Sequence, residues 1–179
     1  MRTRRIVITG GPGTGKTSII NELLKRNYAC LEEISRQVTL EAKQQGIDQL
    51  FLSNPLLFSD KLLEGRRKQF YEAGENSGLV FLDRGIPDIL AYLDFVDQSY
   101  PDHYVRACKT HIYDHVFVLA PWLEIYTKDN ERYESFEQAA KIHDQLLETY
   151  SKYDYRLHDV PFGNVKERTD FIIQIAEAL

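Results

Sequence analysis

Short apolar runs alternate with amphipathic stretches along most of this chain. Arg4-Arg5-Ile6-Val7-Ile8-Thr9 is brief, apolar and β-branched, the pattern of a strand buried in a parallel sheet. Thr17 to Arg26 switches to helical spacing, with Ile19, Ile20, Leu23 and Leu24 on one face. Tyr28 to Glu32 reads as a second short strand. Arg36 to Gln45 reads as a helix stopped by Gly46. Asp48 to Phe58 reads as a loop or broken helix. Pro55 suits the first turn of the next helix, with Asn54 or Ser53 as its cap. That helix runs to about Ala73 on Leu56, Leu57, Leu63, Phe70 and Tyr71, and Gly74 to Gly78 breaks it.

Leu79 to Asp83 is a third strand, four apolar residues ending in a carboxylate. Pro87 to Val96 and Tyr100 to Tyr113 are helical in pattern, and His115 to Leu119 is a fourth strand. A charged interval follows, 125 to 134, too polar to pack and expected to be the mobile piece. Ser135 caps a helix to about Tyr150, and Gln138 completes a capping box. Tyr155 to Val160 alternates as an edge strand does, and Asn164 to Leu179 is a closing amphipathic helix. Strands alternating with helices predict one α/β domain over 1–179, a parallel sheet covered on both faces.

The loop after the first strand carries the chemistry. Gly10-Gly11-Pro12-Gly13-Thr14-Gly15-Lys16-Thr17 fits G-x-x-x-x-G-K-[ST] at every specified position, and strand, Gly-rich loop, helix is its confirming context. Backbone N–H groups of such a loop wrap phosphates, and the helix opening at Lys16, Thr17 and Ser18 aims its positive end at them. Lys16 supplies a point charge for the β- and γ-phosphates, and Thr17 a hydroxyl for Mg²⁺. Beside this loop, Asp83 at its strand tip reads as a second Mg²⁺ ligand. The other reading is a cap for the helix near Pro87.

Composition narrows the partners. At 179 residues and net charge −5 the chain suits one domain and disfavours a general nucleic-acid-binding surface, while leaving room for local basic pockets. Cys30 and Cys108 lack metal or redox spacing and read as reduced thiols of a cytoplasmic protein. Arg2, Arg4 and Arg5 precede too short an apolar run for a signal peptide or a membrane span. The five histidines show no zinc spacing, and the aromatics fall at core positions rather than forming a base-stacking platform.

The phosphate loop, Glu33-x-x-Arg36 after the second strand, Asp83-Arg84-Gly85 after the third and Asp129-x-x-Arg132 after the fourth together resemble one family. It is the P-loop AAA-domain family of predicted ATPases, which includes the ribosylnicotinamide-kinase domain of bacterial NAD-synthesis regulators. More distantly it is similar to deoxynucleoside and thymidylate kinases. The resemblance covers nearly the whole chain. It implies a three-layer α/β/α P-loop fold with a five-stranded sheet in the kinase order 2-3-1-4-5, and a nucleotide site.

A kinase of this build needs a base or anchor for the acceptor hydroxyl and arginines for the transferring phosphoryl. Glu33 matches the first, with Glu32 as competitor; both also fit as solvated acids at a helix start. Arg36, one turn on, binds substrate phosphate or pairs with Glu33. Arg84 sits where related kinases place a phosphate-facing arginine. Arg132 is the lid arginine, oriented by Asp129, and Arg67 and Gln69 lie on the helix that faces the acceptor in those kinases. The expected activity is transfer of the γ-phosphate of ATP, with Mg²⁺, to a nucleoside-like acceptor. The alternative is a nucleotide-dependent switch or slow ATPase acting through a partner. A guanine-reading N-K-x-D is absent, since Thr127-Lys128-Asp129-Asn130 departs from it, and Asp83 is followed three residues on by Ile86, so no D-x-x-G switch exists. These departures favour ATP.

Overall fold

The computed structural model describes residues 2–126 and 135–178. Its five strands are β1 (Arg4–Gly10), β2 (Ala29–Leu31), β3 (Leu79–Asp83), β4 (His115–Leu119) and β5 (Leu157–Val160). They form one parallel sheet in the order β2-β3-β1-β4-β5, the order the resemblance implies. The helices are α1 (Lys16–Lys25), α2 (Ile34–Gln44), α3 (Leu50–Ser53), α4 (Pro55–Ala73), α5 (Pro87–Phe95), α6 (Asp102–Thr110), α7 (Phe136–Lys152) and α8 (Val165–Ala178).

Strand alternation splits the core into two layers. Ile6, Ile8, Phe81 and Phe117 pack with Ile19 and Leu23 of α1 and Ile172 of α8. Val7, Leu82 and Val116 face the other way, onto Leu63 of α4, Leu90 of α5 and Ile142 and Leu146 of α7. Each such fully buried side chain contributes about 1.5–3 kcal/mol through removal from water. Leu24, expected on the inner face of α1, is 39% exposed, because the apolar arc of that helix ends at Leu23. Leu57 and Tyr71 of α4 are likewise exposed, and Arg66 and Gln69 take buried places on its inner stripe instead.

The ends of the elements follow local chemistry. The broken stretch before α4 contains α3, and Asn54 then accepts the Leu57 N–H at 3.1 Å with Pro55 as the first helical residue. The helix α2 begins at Ile34, two residues before Arg36, which leaves Glu33 at its N-cap position. The strand β5 starts at Leu157 rather than Tyr155; the Tyr155 hydroxyl instead accepts the Tyr113 N–H at 3.1 Å.

At the head of α7, Ser135 Oγ accepts the Gln138 N–H at 3.2 Å, and Gln138 Oε1 accepts the Ser135 N–H at 2.7 Å. This box satisfies two otherwise orphaned donors of the helix that carries Tyr150 inward. Replacing Ser135 by Ala should lower unfolding stability by about 1 kcal/mol in a urea titration. An unchanged midpoint would show that the cap contributes nothing.

Candidate functional site

The loop between β1 and α1 turns on Gly15, whose φ of 83° lies in the left-handed region. A Cβ there would also lie 2.9 Å from the Arg168 guanidinium, so backbone and neighbour both call for glycine. Lys16 opens α1 and is buried, while Thr17 and Ser18 are exposed on the same first turn. The Thr14 hydroxyl donates to the Gly11 carbonyl at 3.0 Å and closes the loop on itself.

Because β1, β3 and β2 are adjacent and parallel, their carboxyl ends bring three short segments together. Ile8 pairs in register with Asp83, and Leu31 with Leu82. Lys16 Nζ lies 2.6 Å from Asp83 Oδ1 and 3.6 Å from Glu33 Oε2. Glu33 Oε2 also accepts from Arg84 Nε at 2.6 Å, and Oε1 from Arg66 Nη2 at 3.3 Å. Arg66 Nη1 donates to the Gly85 carbonyl at 2.9 Å. Arg84 Nη1 donates to Asp88 Oδ1 at 3.2 Å.

Asp88 anchors the far side of this cluster. It is fully buried and accepts from the Thr9 hydroxyl at 2.5 Å, the Tyr150 hydroxyl at 2.5 Å and the Gly85 N–H at 2.9 Å. Gly85 has to lack a side chain, since a Cβ would sit 2.7 Å from the Tyr150 hydroxyl. Arg84 itself has φ of 76°, a conformation that costs a non-glycine residue about 1–3 kcal/mol. The ion pairs and the backbone bond from Arg84 N–H to the Ile8 carbonyl at 3.0 Å hold it there.

Burial alone would push the Glu33 carboxyl up, but Arg84, Lys16 and Arg66 together hold it well below the usual carboxylate range. Asp83 is shifted the other way. Its burial and the negative Glu33 outweigh Lys16 and Arg84, so its carboxyl is raised. The two sequence alternatives for these acids are thereby separated. Glu33 occupies the N-cap position of α2 without capping it, because its oxygens are taken by cations. Asp83 faces Lys16, while Asp88 accepts the Gly85 N–H and the Tyr113 hydroxyl accepts the Ile86 N–H at 3.1 Å ahead of α5.

The cluster opens into a cleft of about 760 Å³ bordered by α1, α2 and α4, with Thr17, Glu33, Arg36, Lys61, Gln69 and Asp83 among its lining. Arg36 is exposed there and, among the described residues, makes no ion pair with Glu33. Gln69 is buried and donates to the Glu32 carbonyl at 2.7 Å, which ties α4 to the end of β2. Arg67 is exposed and does not line the cleft; its neighbour Arg66 is the arginine of α4 that reaches Glu33. Asp129 and Arg132 lie outside the described residues, as does most of the 125–134 interval.

Asp83 Oδ1 is buried and, although ion-paired, lacks a hydrogen bond of good geometry. A carboxylate oxygen that among the described residues meets only the Lys16 ammonium, with the Thr17 hydroxyl in the same cleft, suits a hard cation that takes oxygen ligands, as Mg²⁺ does. Among the described residues no group of three or more His, Cys, Asp or Glu is placed to hold a metal. Further ligands for such an ion would therefore be phosphate oxygens and water.

Three residues of this region were not singled out by their motifs: Arg66, Asp88 and Arg168. Arg168 Nη1 donates to the Thr14 carbonyl at 3.0 Å and braces the loop from outside. Each had one readable signal. Arg66 lies on the stripe Leu62-Arg66-Gln69-Ala73, and Arg168 on the stripe Arg168-Ile172-Ala176. Asp88 interrupts an apolar run in α5.

Glu33→Gln would leave Arg84 and Arg66 facing a neutral amide in a buried site. The expected cost at neutral pH is about 3–5 kcal/mol in denaturant titrations. Since the folded pKa of Glu33 is depressed, its stabilisation is complete above the unfolded value near pH ~4.3 and is lost as pH falls through the folded value. The gap between wild type and Glu33→Gln should thus be constant above the unfolded value, narrow progressively below pH ~4.3 and close only in strong acid. A gap that stays constant into strong acid would contradict the pairing.

Comparison with known proteins bears on the family and the fold. A family model described as an AAA domain matches residues 5–168. No curated protein matches the sequence. Deoxyadenosine kinase from M. mycoides superposes with a TM-score of 0.72 at 16% identity, covering 98% of this chain and 100% of that one. Thymidylate kinase from Candida albicans does so at 0.70 and 20% identity, covering 99% and 92%. The NadR protein in complex with NR gives 0.75 and 15% identity over 98% of this chain but 50% of that one. At these identities the structures share the fold. The match over residues 5–168 takes in most of the chain, which belongs to the AAA-domain family of P-loop proteins.

Proposed function

We propose that the chain is a kinase that moves the γ-phosphate of ATP to a hydroxyl of a small, nucleoside-like acceptor in the cytoplasm. One observation carries this reading. Lys16, Asp83, Glu33 and Arg84 converge from three adjacent strand ends, and the two carboxylates of the set, Glu33 and Asp83, line one cleft. A switch or a slow ATPase needs the first two. It has no use for a buried carboxylate held among cations on the far side of Lys16.

In this reading the backbone of Gly10, Gly11, Pro12, Gly13, Thr14, Gly15, Lys16, Thr17 and Ser18 surrounds the nucleotide phosphates. Thr17 and Asp83 would hold Mg²⁺, which when bound would supply neutralising charge to the phosphate oxygens. Glu33 accepts a hydrogen bond from the acceptor hydroxyl and so aims its oxygen at the γ-phosphorus. The new P–O bond forms as the bond to the β–γ bridging oxygen breaks, and the hydroxyl proton leaves through Glu33 to water. The depressed proton affinity of Glu33 is tolerable here, because phosphoryl transfer in most analyses passes a loose transition state that asks little of a base. Arg84 opposes charge on the transferring group, and Arg132, oriented by Asp129, closes over it. Arg36 and Gln69 line the acceptor side, and the exposed Arg67 plays at most an entry role. The kinase neighbours support the acceptor class: one is a deoxyadenosine kinase, one a thymidylate kinase, and one was solved with NR.

A screen of nucleosides, nucleotides and sugars for ATP-dependent phosphorylation tests the reading. With the acceptor in hand, Arg132→Ala should lower kcat on the order of 10³-fold while ATP affinity changes by less than about tenfold. Glu33→Gln should show the same split with a fall in kcat of about 10²-fold or more. If the screen yields only ATP hydrolysis, and hydrolysis survives both substitutions, the switch reading replaces this one.

A further inference from the structure

The contact between Lys16 and Asp83 has a consequence for which nucleotide the loop accepts. The ammonium of Lys16 lies 2.6 Å from Asp83 Oδ1, with the two side chains only 9% and 6% exposed. Glu33 Oε2 stands 3.6 Å away as a second anion. The charge that should meet incoming phosphates is therefore already committed. The oxygen that commits it is also the one that suits a hard cation, since among the described residues Oδ1 meets no side chain other than Lys16. One oxygen serves two claimants.

We infer that Asp83 makes this site discriminate metal-bound from metal-free nucleotide, by holding Lys16 until a divalent cation takes its place. The inference rests on the reading of Gly10 to Thr17 as the phosphate loop, and on nothing about the acceptor. A metal-free triphosphate meets a neutralised lysine and the negative charge of Asp83, and it has to break a desolvated ion pair to reach Nζ. When a cation arrives with the nucleotide, Asp83 exchanges one positive partner for another, and Lys16 turns to the phosphates without leaving a buried carboxylate unpaired. Glu33 does not take over the lock, because Arg84 and Arg66 already occupy both of its oxygens. Binding of metal and of nucleotide are thus positively coupled through one side chain, by a reciprocal free energy.

Calorimetry of ATP binding in magnesium chloride and in EDTA, on wild type and on Asp83→Asn, reads the coupling directly. Wild type should bind ATP at least about tenfold more weakly in EDTA. Asp83→Asn should bind metal-free ATP about tenfold or more tighter than wild type, and should gain less than about threefold from magnesium. A second measurement separates the lock from simple removal of a negative charge and needs no variant. The Lys16 ammonium, held in a desolvated pair, should give a slowly exchanging ¹⁵N–¹H signal in nucleotide-free wild type that shifts when Mg·ATP is added. Metal-free ATP binding that is no tighter in Asp83→Asn overturns the inference, and so does a Lys16 ammonium in fast exchange with water. Wild type that binds no nucleotide in either buffer would instead overturn the phosphate-loop reading, and this inference with it.

Discussion

The site depends on keeping Glu33 ionised inside the protein. A carboxylate taken out of water costs several kcal/mol unless cations and donors replace its solvation. Here Arg84, Arg66 and Lys16 replace it, and each comes from a different element. Arg84 comes from the turn after β3, Arg66 from α4 and Lys16 from the head of α1. The cations need anions of their own, which Asp83 and Asp88 provide. Three positive and three negative groups thus form a closed set, and removing any one leaves a desolvated charge behind. That mutual dependence couples the loop, the β3–α5 turn and α4 more tightly than apolar contact would. Apolar side chains tolerate small slides, whereas an ion pair at 2.6 Å does not.

Topology makes the set possible. In a parallel sheet all carboxyl ends lie on one edge, and ligands bind outside that edge. With the order β2-β3-β1, the residues that follow three consecutive neighbours meet within a few ångströms. Had β4 lain between β1 and β3, Asp83 would stand a further strand spacing of about 4.8 Å from Lys16, beyond an ion pair. Tyr150 of α7 and Thr9 of β1 then close the network through Asp88, which also pairs with Arg84, the residue whose backbone is left-handed.

Much of this was legible in the sequence, for identifiable reasons. β1, β3 and β4 each carry a continuous apolar run and β5 alternates, and the capping box of α7, the Asn54 cap and Pro55 are local signals whose partners lie within four residues. The phosphate loop is legible for the same reason. Its geometry is set by Gly10, Gly15, Lys16 and Thr17 themselves. Glu33, Asp83 and Arg84 could be named because they follow strands, where the fold places chemistry. The pairing of those residues could not be, because Lys16 and Arg66 stand 17 and 33 positions from Glu33, Arg84 stands 51 from it, and Lys16 stands 67 from Asp83. Arg67 was singled out on α4 where Arg66 does the pairing, because neighbouring residues on a helix point about 100° apart and no strand end marks the right one. The stripe positions of Arg66 and Arg168 show how such residues can be found. A charge in line with buried apolar positions has to be paired or to act.

The kinase reading places two demands on Glu33 that look opposed. A carboxylate among three cations is a weak proton acceptor, yet it is asked to receive a hydroxyl group. The opposition lessens once the source of the third cation is considered. Lys16 touches Glu33 only at 3.6 Å and belongs by its loop to the nucleotide phosphates. When those phosphates draw Lys16 away, Glu33 keeps Arg84 and Arg66, which fix its orientation, and loses the most distant of its three cations. Its proton affinity then rises, because one of the three charges that depressed it has gone. Nucleotide binding would thereby ready the carboxylate for an acceptor at the moment a phosphoryl group becomes available, through charge redistribution among residues already in place. The same movement cannot ready it for water alone to equal effect, since a fixed hydrogen-bond acceptor discriminates by position, and a bound acceptor hydroxyl is held in position where a water is not.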